Sequence, residues 1–174
     1  VMLLYNKALD PYHTLFRLLN VLNGTSKGKI EHDRLRIYDF LLAFPVHVSR
    51  ITLPRELQKQ KNPFKKFKNS YNVFDAYFLF ESMKSIQNSV IDNLIISKIL
   101  QKIPNSSSYV ILKENYSPEL FALTEIEVRQ EIKDVIAFIN NVLADQELYG
   151  QNGLKASSHL MEYKYDSISS NIKN

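Results

Sequence analysis

The 174-residue chain has no cysteine, no tryptophan and only four glycines. The missing thiols exclude disulfides, thiol nucleophiles and cysteine zinc sites, and they agree with a reducing compartment. Neither G-x-G-x-x-G nor G-x-x-x-x-G-K-[ST] occurs, which weighs against a nucleotide-binding enzyme. The longest apolar runs fall far short of the ~20 residues that a membrane span needs. The first residues lack a basic region followed by a long apolar stretch, so no signal peptide is expected and a cytoplasmic location is. Four histidines stand scattered at positions 13, 32, 47 and 159. A metal site needs about three converging ligands, so neither metal nor cofactor is expected.

The composition supports a core. Hydrophobic residues make up 45% of the chain, ordinary for a globular protein, and the length suits one domain over 1–174. A formal net charge of +4 is too weak to indicate nucleic-acid binding unless the charge is concentrated locally.

Hydrophobic spacing outlines the elements. Met2 to Tyr5 reads as a short strand or extended lead-in. In DPYHTLFR, Asp10 is a strong N-cap, and Pro11 suits a first helical position whose N–H has no partner. Leu15, Leu18, Leu19 and Leu22 carry that helix to Asn23-Gly24. EHDRLRIYDFLLAF reads as a second helix, with Leu35, Tyr38, Leu41 and Leu42 on one side and Pro45 as its stop. VHVSRITLP alternates like a strand. SMKSIQNSVIDNLIISKIL gives a third helix through Met83, Ile86, Val90, Ile91, Leu94, Ile95 and Ile99. A turn-rich IPNSSS and a strand at YVILK follow, and Ser117-Pro118 opens a short helical turn. TEIE at 124–127 has the spacing of a capping box, with Thr124 as cap and Glu127 reaching back. Behind it Val128, Ile132, Val135, Ile139 and Val142 step in heptads, helped by Ile136 and Leu143. This predicts a long helix over 124–149 closed by Gly150. In the tail, 150–174, Met161, Tyr163 and Tyr165 share one face of a possible strand.

Three stretches invite functional readings. Asp10, His13 and Arg17 could be a catalytic corner, a ligand site or helix-start chemistry. A histidine near a helix N-terminus beside an arginine is discouraged from protonating and could act as a base. No nucleophile or orienting acid accompanies it, because Asp10 is better used as the cap; no catalytic residue is assigned. The run holding Arg55, Lys59, Lys61, Lys65, Lys66 and Lys68 faces Glu56 alone, with Phe64 and Phe67 interleaved. Lysine clusters suit phosphate backbones, and aromatics stack on bases or simply pin a loop. The candidates here are a solvated loop, a nucleic-acid contact or an acidic protein surface. Finally, helix, turn and strand over 82–113 follow the order of a winged helix, placing such a core at roughly 31–116. The expected exposed positions of that helix, Lys84, Gln87, Asn88, Asp92 and Ser97, carry little positive charge, which favours protein over DNA as its partner. The heptad seam is either core or a face for a partner helix.

The fragments LLYNKALDPYHTLFRLL, LRIYDFLLAFPVHV, ESMKSIQNSVIDNLIISKIL and GLKASSHLMEYKYD, in this order, resemble the middle components of bacterial three-component ABC systems, including Lamassu-type defence. The matching positions are Asp10, His13 and Arg17 in the first fragment, Arg36, Asp39, Phe40 and Pro45 in the second, and Gln87 in the third. The resemblance implies an accessory, non-catalytic subunit that accompanies an SMC-like ABC ATPase and an effector, often a nuclease. Asp10, His13, Arg17, Arg36, Asp39, Phe40 and Gln87 are then the expected partner-binding residues. IPNSSS departs from the pattern, where a glycine-containing turn is more usual. The expected whole is a mainly helical α+β fold with a winged-helix-like centre, acting as an adaptor that reaches DNA through the complex and touches no membrane. A stand-alone winged-helix DNA-binding regulator is the second reading, and a hydrolase around His13 the third.

Overall fold

The computed structural model describes residues 6–67, 75–125 and 128–161. The readings of Met2–Tyr5, of Lys68, of the Glu127 half of the capping box and of a strand through Tyr163 and Tyr165 lie outside them. A 3-10 turn, Lys7–Leu9, leads into helix α1, Pro11–Gly24. Strand β1, Lys29–Glu31, runs directly into α2, His32–Ala43. After α2 the chain continues through 3-10 turns at Pro45–Arg50 and Arg55–Leu57, the short α3 at Gln58–Lys61, and a further 3-10 turn at Asn62–Lys66. Helix α4, Ala76–Ile96, is the longest, and strands β2, Leu100–Lys102, and β3, Ser108–Ile111, follow it. The further helices among the described residues are α5, Pro118–Glu125; α6, Gln130–Phe138, extended by a π-turn at Ile139–Leu143; and α7, Leu154–Ser158.

The three strands form one antiparallel sheet in the order β1-β3-β2. Ile30 sits opposite Tyr109, and Tyr109 opposite Lys102. The fold is therefore mainly helical with a small antiparallel sheet, the α+β class expected.

Helix α2 is the centre of the molecule. Every residue from Arg34 to Leu42 is buried, so the helix is enclosed on all sides instead of presenting one apolar stripe. Helices α1 and α4, the Pro45–Arg50 turn, α6 and α7 all pack against it. Leu35, Ile37, Phe40 and Leu41 have no exposed surface and join Leu18, Leu19 and Leu22 of α1 and Phe80 and Met83 of α4 in a single core. Each such side chain contributes roughly 1.5–3 kcal/mol by leaving water. The Asp10 cap is as the sequence implies, and α4 has a cap of the same kind. The Asp10 carboxylate accepts from the His13 N–H at 2.9 Å, and Asp75 caps α4 by accepting from Phe78 N–H at 3.1 Å.

Three elements differ from expectation. The stretch after Pro45 is a 3-10 turn, with Val46 and Val48 buried together with His47; alternation over so few residues does not separate a strand from a tight helical turn. No helix spans 124–149. Thr124 is near the end of α5, where its hydroxyl donates to the Phe121 carbonyl at 2.7 Å, so it sits inside one helix and not at the start of the next. The cap of α5 is Ser117, whose hydroxyl accepts from the Leu120 N–H. The next helix begins after Arg129 and ends in the π-turn, closed by Ala144 N–H to Ile139 carbonyl at 2.8 Å. The heptad residues still face inward: Val135, Ile139 and Leu143 are buried, and Ile132, Ile136 and Val142 pack against the core. Gly150, at φ +89°, lies in the loop before α7 and does not close that helix.

Candidate interaction site

The polar residues singled out by the sequence converge where α1, α2 and α4 meet. Arg17 points from α1 at Asp39 of α2 as a fork, with Nε to Oδ1 at 2.7 Å and Nη2 to Oδ2 at 3.2 Å. Its remaining hydrogens go to the carbonyls of Lys7 and Ala8 and to the Thr14 hydroxyl, which ties the lead-in turn to α1. Gln87 of α4 donates to Asp39 Oδ2 at 2.9 Å and to the Arg36 carbonyl at 3.2 Å, and it accepts from Arg36 Nε at 2.9 Å. Asp39 and Gln87 are 0% exposed, Arg36 2% and Arg17 5%. A planar guanidinium paired bidentately with a carboxylate is the arrangement in which a buried charge pair is best compensated.

Arg36 is less completely served. Its face lies 4.4 Å from the Phe80 ring centre, and Asp33 and Glu81 stand at 3.9 Å from Nη1 and Nη2. Nη2 makes no hydrogen bond. Burial pushes the Arg36 guanidinium down, against the pull of Asp33, Glu81 and Asp39. Asp33 also pairs with Lys155 of α7 at 3.4 Å, which carries the polar seam to the C-terminal end of the fold.

The fold thus places Arg17, Arg36, Asp39, Phe40 and Gln87 inside, where their contacts are with one another and with the core. Gln87, read from sequence as an exposed position of its helix, is fully enclosed. Asp10 and His13 stay half-exposed at the start of α1, and the adjacent Tyr12 is 59% exposed. His32 pairs through Nδ1 with the Tyr109 hydroxyl at 2.7 Å, and His159 through Nε2 with Thr52. His47 packs at 4.8 Å on the Phe40 ring, and burial, reinforced by Arg50, pushes its pKa down to about 4. The four histidines serve four separate places. Among the described residues no cluster of three or more His, Asp or Glu side chains is poised to hold a metal.

A groove of about 850 Å³ crosses the outer face of the sheet. Ile103, Ser108 and Val110 floor it, and the loop from Ala144 to Glu147 walls it. Sequence reasoning missed it because that wall comes from the far end of the chain. At its base, Arg34 donates to Glu31, to the Tyr38 hydroxyl and to the carbonyls of Leu143 and Gln146, so its guanidinium is already engaged. Burial alone would raise the Glu31 carboxyl, but the Arg34 hydrogen bonds hold it below the usual range.

The basic segment lies along the turns between α2 and α4. Arg55, Lys59, Lys65 and Lys66 are exposed. Lys61 is spent internally, donating from Nζ to the Ile51 carbonyl at 2.6 Å. Phe64 is buried 5.5 Å from the Phe138 ring, and Phe67 packs half-buried beside it. The aromatics pin the segment to the core.

Residues 3–166 match the model of the family described as "ABC-three component (ABC-3C) system Middle Component 5". The chain belongs to this family. A middle component is one part of a three-component assembly, so the chain has an accessory role alongside the system's other components. No curated protein and no solved structure shows significant similarity to it. No described helix is long and apolar enough to cross a membrane.

Proposed function

We propose that this middle component is a non-catalytic adaptor that joins an SMC-like ABC ATPase to an effector, in the manner of a Lamassu-type anti-phage or anti-plasmid complex in the cytoplasm. The effector in this reading is a nuclease. The ATPase senses foreign DNA, and this subunit transmits that state by holding or releasing the effector. The observation that carries the reading is the family match over nearly the whole chain. The buried Arg17–Asp39–Gln87–Arg36 network supports it, because it locks α1, α2 and α4 into a rigid body suited to passing on a change of position.

The centre of the fold supports a winged-helix reading. Helix, strand, two helices and a hairpin follow in order over α1, β1, α2, α4, β2 and β3, with the first strand pairing the last. On this reading the core begins at α1 and not at residue 31, and α4 occupies the recognition position. The outer face of α4 carries Phe78, Ser82, Ser85, Ser89 and Asp92, with Lys84 its one exposed cation, so it suits a protein partner better than bases. Asp10 and His13, at the accessible start of α1, remain candidates for such a contact. The exposed cations Arg55, Lys59, Lys65 and Lys66 are the proposed DNA contact within the assembly.

Co-expression with the ABC ATPase of the same system should recover a stable complex at moderate salt. Tight, sequence-selective duplex binding by the isolated chain, with no complex formed, would instead make it a regulator.

A further inference from the structure

The basic segment carries information about the kind of nucleic acid it fits. Between residues 50 and 67 the exposed cations are Arg50, Arg55, Lys59, Lys65 and Lys66, and Glu56 is the only acid in that stretch. The turn ending at Arg50 packs against the Asn62–Lys66 turn, which brings the two ends of the stretch onto one part of the surface. Arg55 opens the 3-10 turn that runs directly into α3, which carries Lys59, so both cations stand on one short helical stretch.

Single strands are held without sequence preference by combining such charge with aromatic platforms on which bases stack. This segment has two aromatics and offers neither as a platform. Phe64 is 5% exposed and faces Phe138, and Phe67 packs against the core with Lys66 Nζ 5.0 Å from its ring centre. Lys61, which the sequence counts among the free cations, is fixed on the Ile51 carbonyl and stiffens the segment. What remains among the described residues of the segment is a row of exposed cations, accompanied by the polar side chains of Thr52, Glu56, Gln58, Gln60 and Asn62 and by no fully exposed aromatic ring.

From this we infer that the segment binds the phosphate backbone of double-stranded DNA, independently of sequence, and discriminates against single strands. The inference rests on the nucleic-acid reading proposed above and specifies its ligand. Backbone neutralisation by about five cations gives an affinity that falls with salt at a log–log slope near −4.5.

The test is fluorescence anisotropy of the full chain with two short duplexes of unrelated sequence and with one of their constituent single strands, across a salt series. The two duplexes should bind within about twofold of each other and the single strand at least about tenfold more weakly. Lys65→Ala with Lys66→Ala should flatten the duplex slope by nearly two units. Equal or tighter binding of the single strand, weakened selectively by Phe67→Ala, would overturn the duplex assignment and leave the nucleic-acid reading standing. Duplex binding with a slope unchanged in the double variant would move the contact elsewhere on the chain and overturn the inference. No binding of any probe at low salt would remove the nucleic-acid reading itself.

Discussion

Replacing Asp39 by alanine should be among the most damaging single changes available to this fold. Asp39 is fully buried and accepts three hydrogen bonds, two from the Arg17 guanidinium and one from Gln87. Its loss leaves Arg17 charged and enclosed, with only carbonyls and the Thr14 hydroxyl as partners. Removing one member of a buried ion pair costs about 3–5 kcal/mol, most of it the penalty on the charge left behind. Against a whole-domain stability of roughly 5–15 kcal/mol, this is a large fraction. For a chain of this length it lowers Tm by about 6–20 °C. Thermal and urea unfolding followed by circular dichroism measure it directly. The double variant Arg17→Met with Asp39→Leu separates the pair's worth from the penalty of breaking it. It should recover most of the loss, since apolar replacements of buried pairs are often neutral or stabilising. A cost below about 1 kcal/mol for Asp39→Ala, or a double variant no better than the single, would show that the network does not hold α1, α2 and α4 together.

Other changes test other parts of the structure. The His47 pKa of about 4 lies below the ordinary 6.5, so the folded state binds fewer protons than the unfolded chain between those values. Stability from this group is complete above pH ~6.5 and declines as pH falls toward ~4, by about 2–3 kcal/mol. His47→Gln should flatten that part of the urea-midpoint profile, and an unchanged profile would contradict the burial argument. A Cβ on Gly153 would lie 2.2 Å from the Tyr149 carbonyl oxygen, whereas one on Gly28 meets nothing within 4 Å. Gly153→Ala should therefore lose at least about 2 kcal/mol and Gly28→Ala almost nothing in the same unfolding assay. The isolated chain should show no ATPase, nuclease or esterase turnover; activity that vanishes selectively in His13→Ala would reinstate the hydrolase.

The helices at 11–24 and 32–43 were legible from periodicity and from Asp10-Pro11 and Pro45, because local capping and hydrophobic spacing act within one element. The third helix was read over 82–100, six residues late at its start and four too far at its end. The misread parts depended on what lies far away in sequence. α2 looked one-sided, since Arg34, Arg36 and Asp39 are ordinary surface residues until partners from α1, α4 and the Leu143–Gln146 loop enclose them. Gln87 was placed in solvent for the same reason. Thr124 fitted a capping box by spacing, but the same Thr can donate backward to a carbonyl at a helix end. The heptad steps after it correctly marked an inward face yet gave no hint of the π-turn. There, Asn140 reaches the Gly24 carbonyl and Leu143 offers its carbonyl to Arg34. In the basic run the charges were legible; that Phe64 faces Phe138, seventy-four positions later, was not.

The adaptor role is tested most directly by asking whether the effector depends on this chain to reach the ATPase. The ATPase is tagged and purified from cells that produce the effector, with the middle component present or deleted. The account predicts effector recovery only when the middle component is present, and its loss with a middle-component variant that no longer binds the ATPase. Equal recovery of the effector in its absence would contradict the account, because two components that meet without the third need no adaptor.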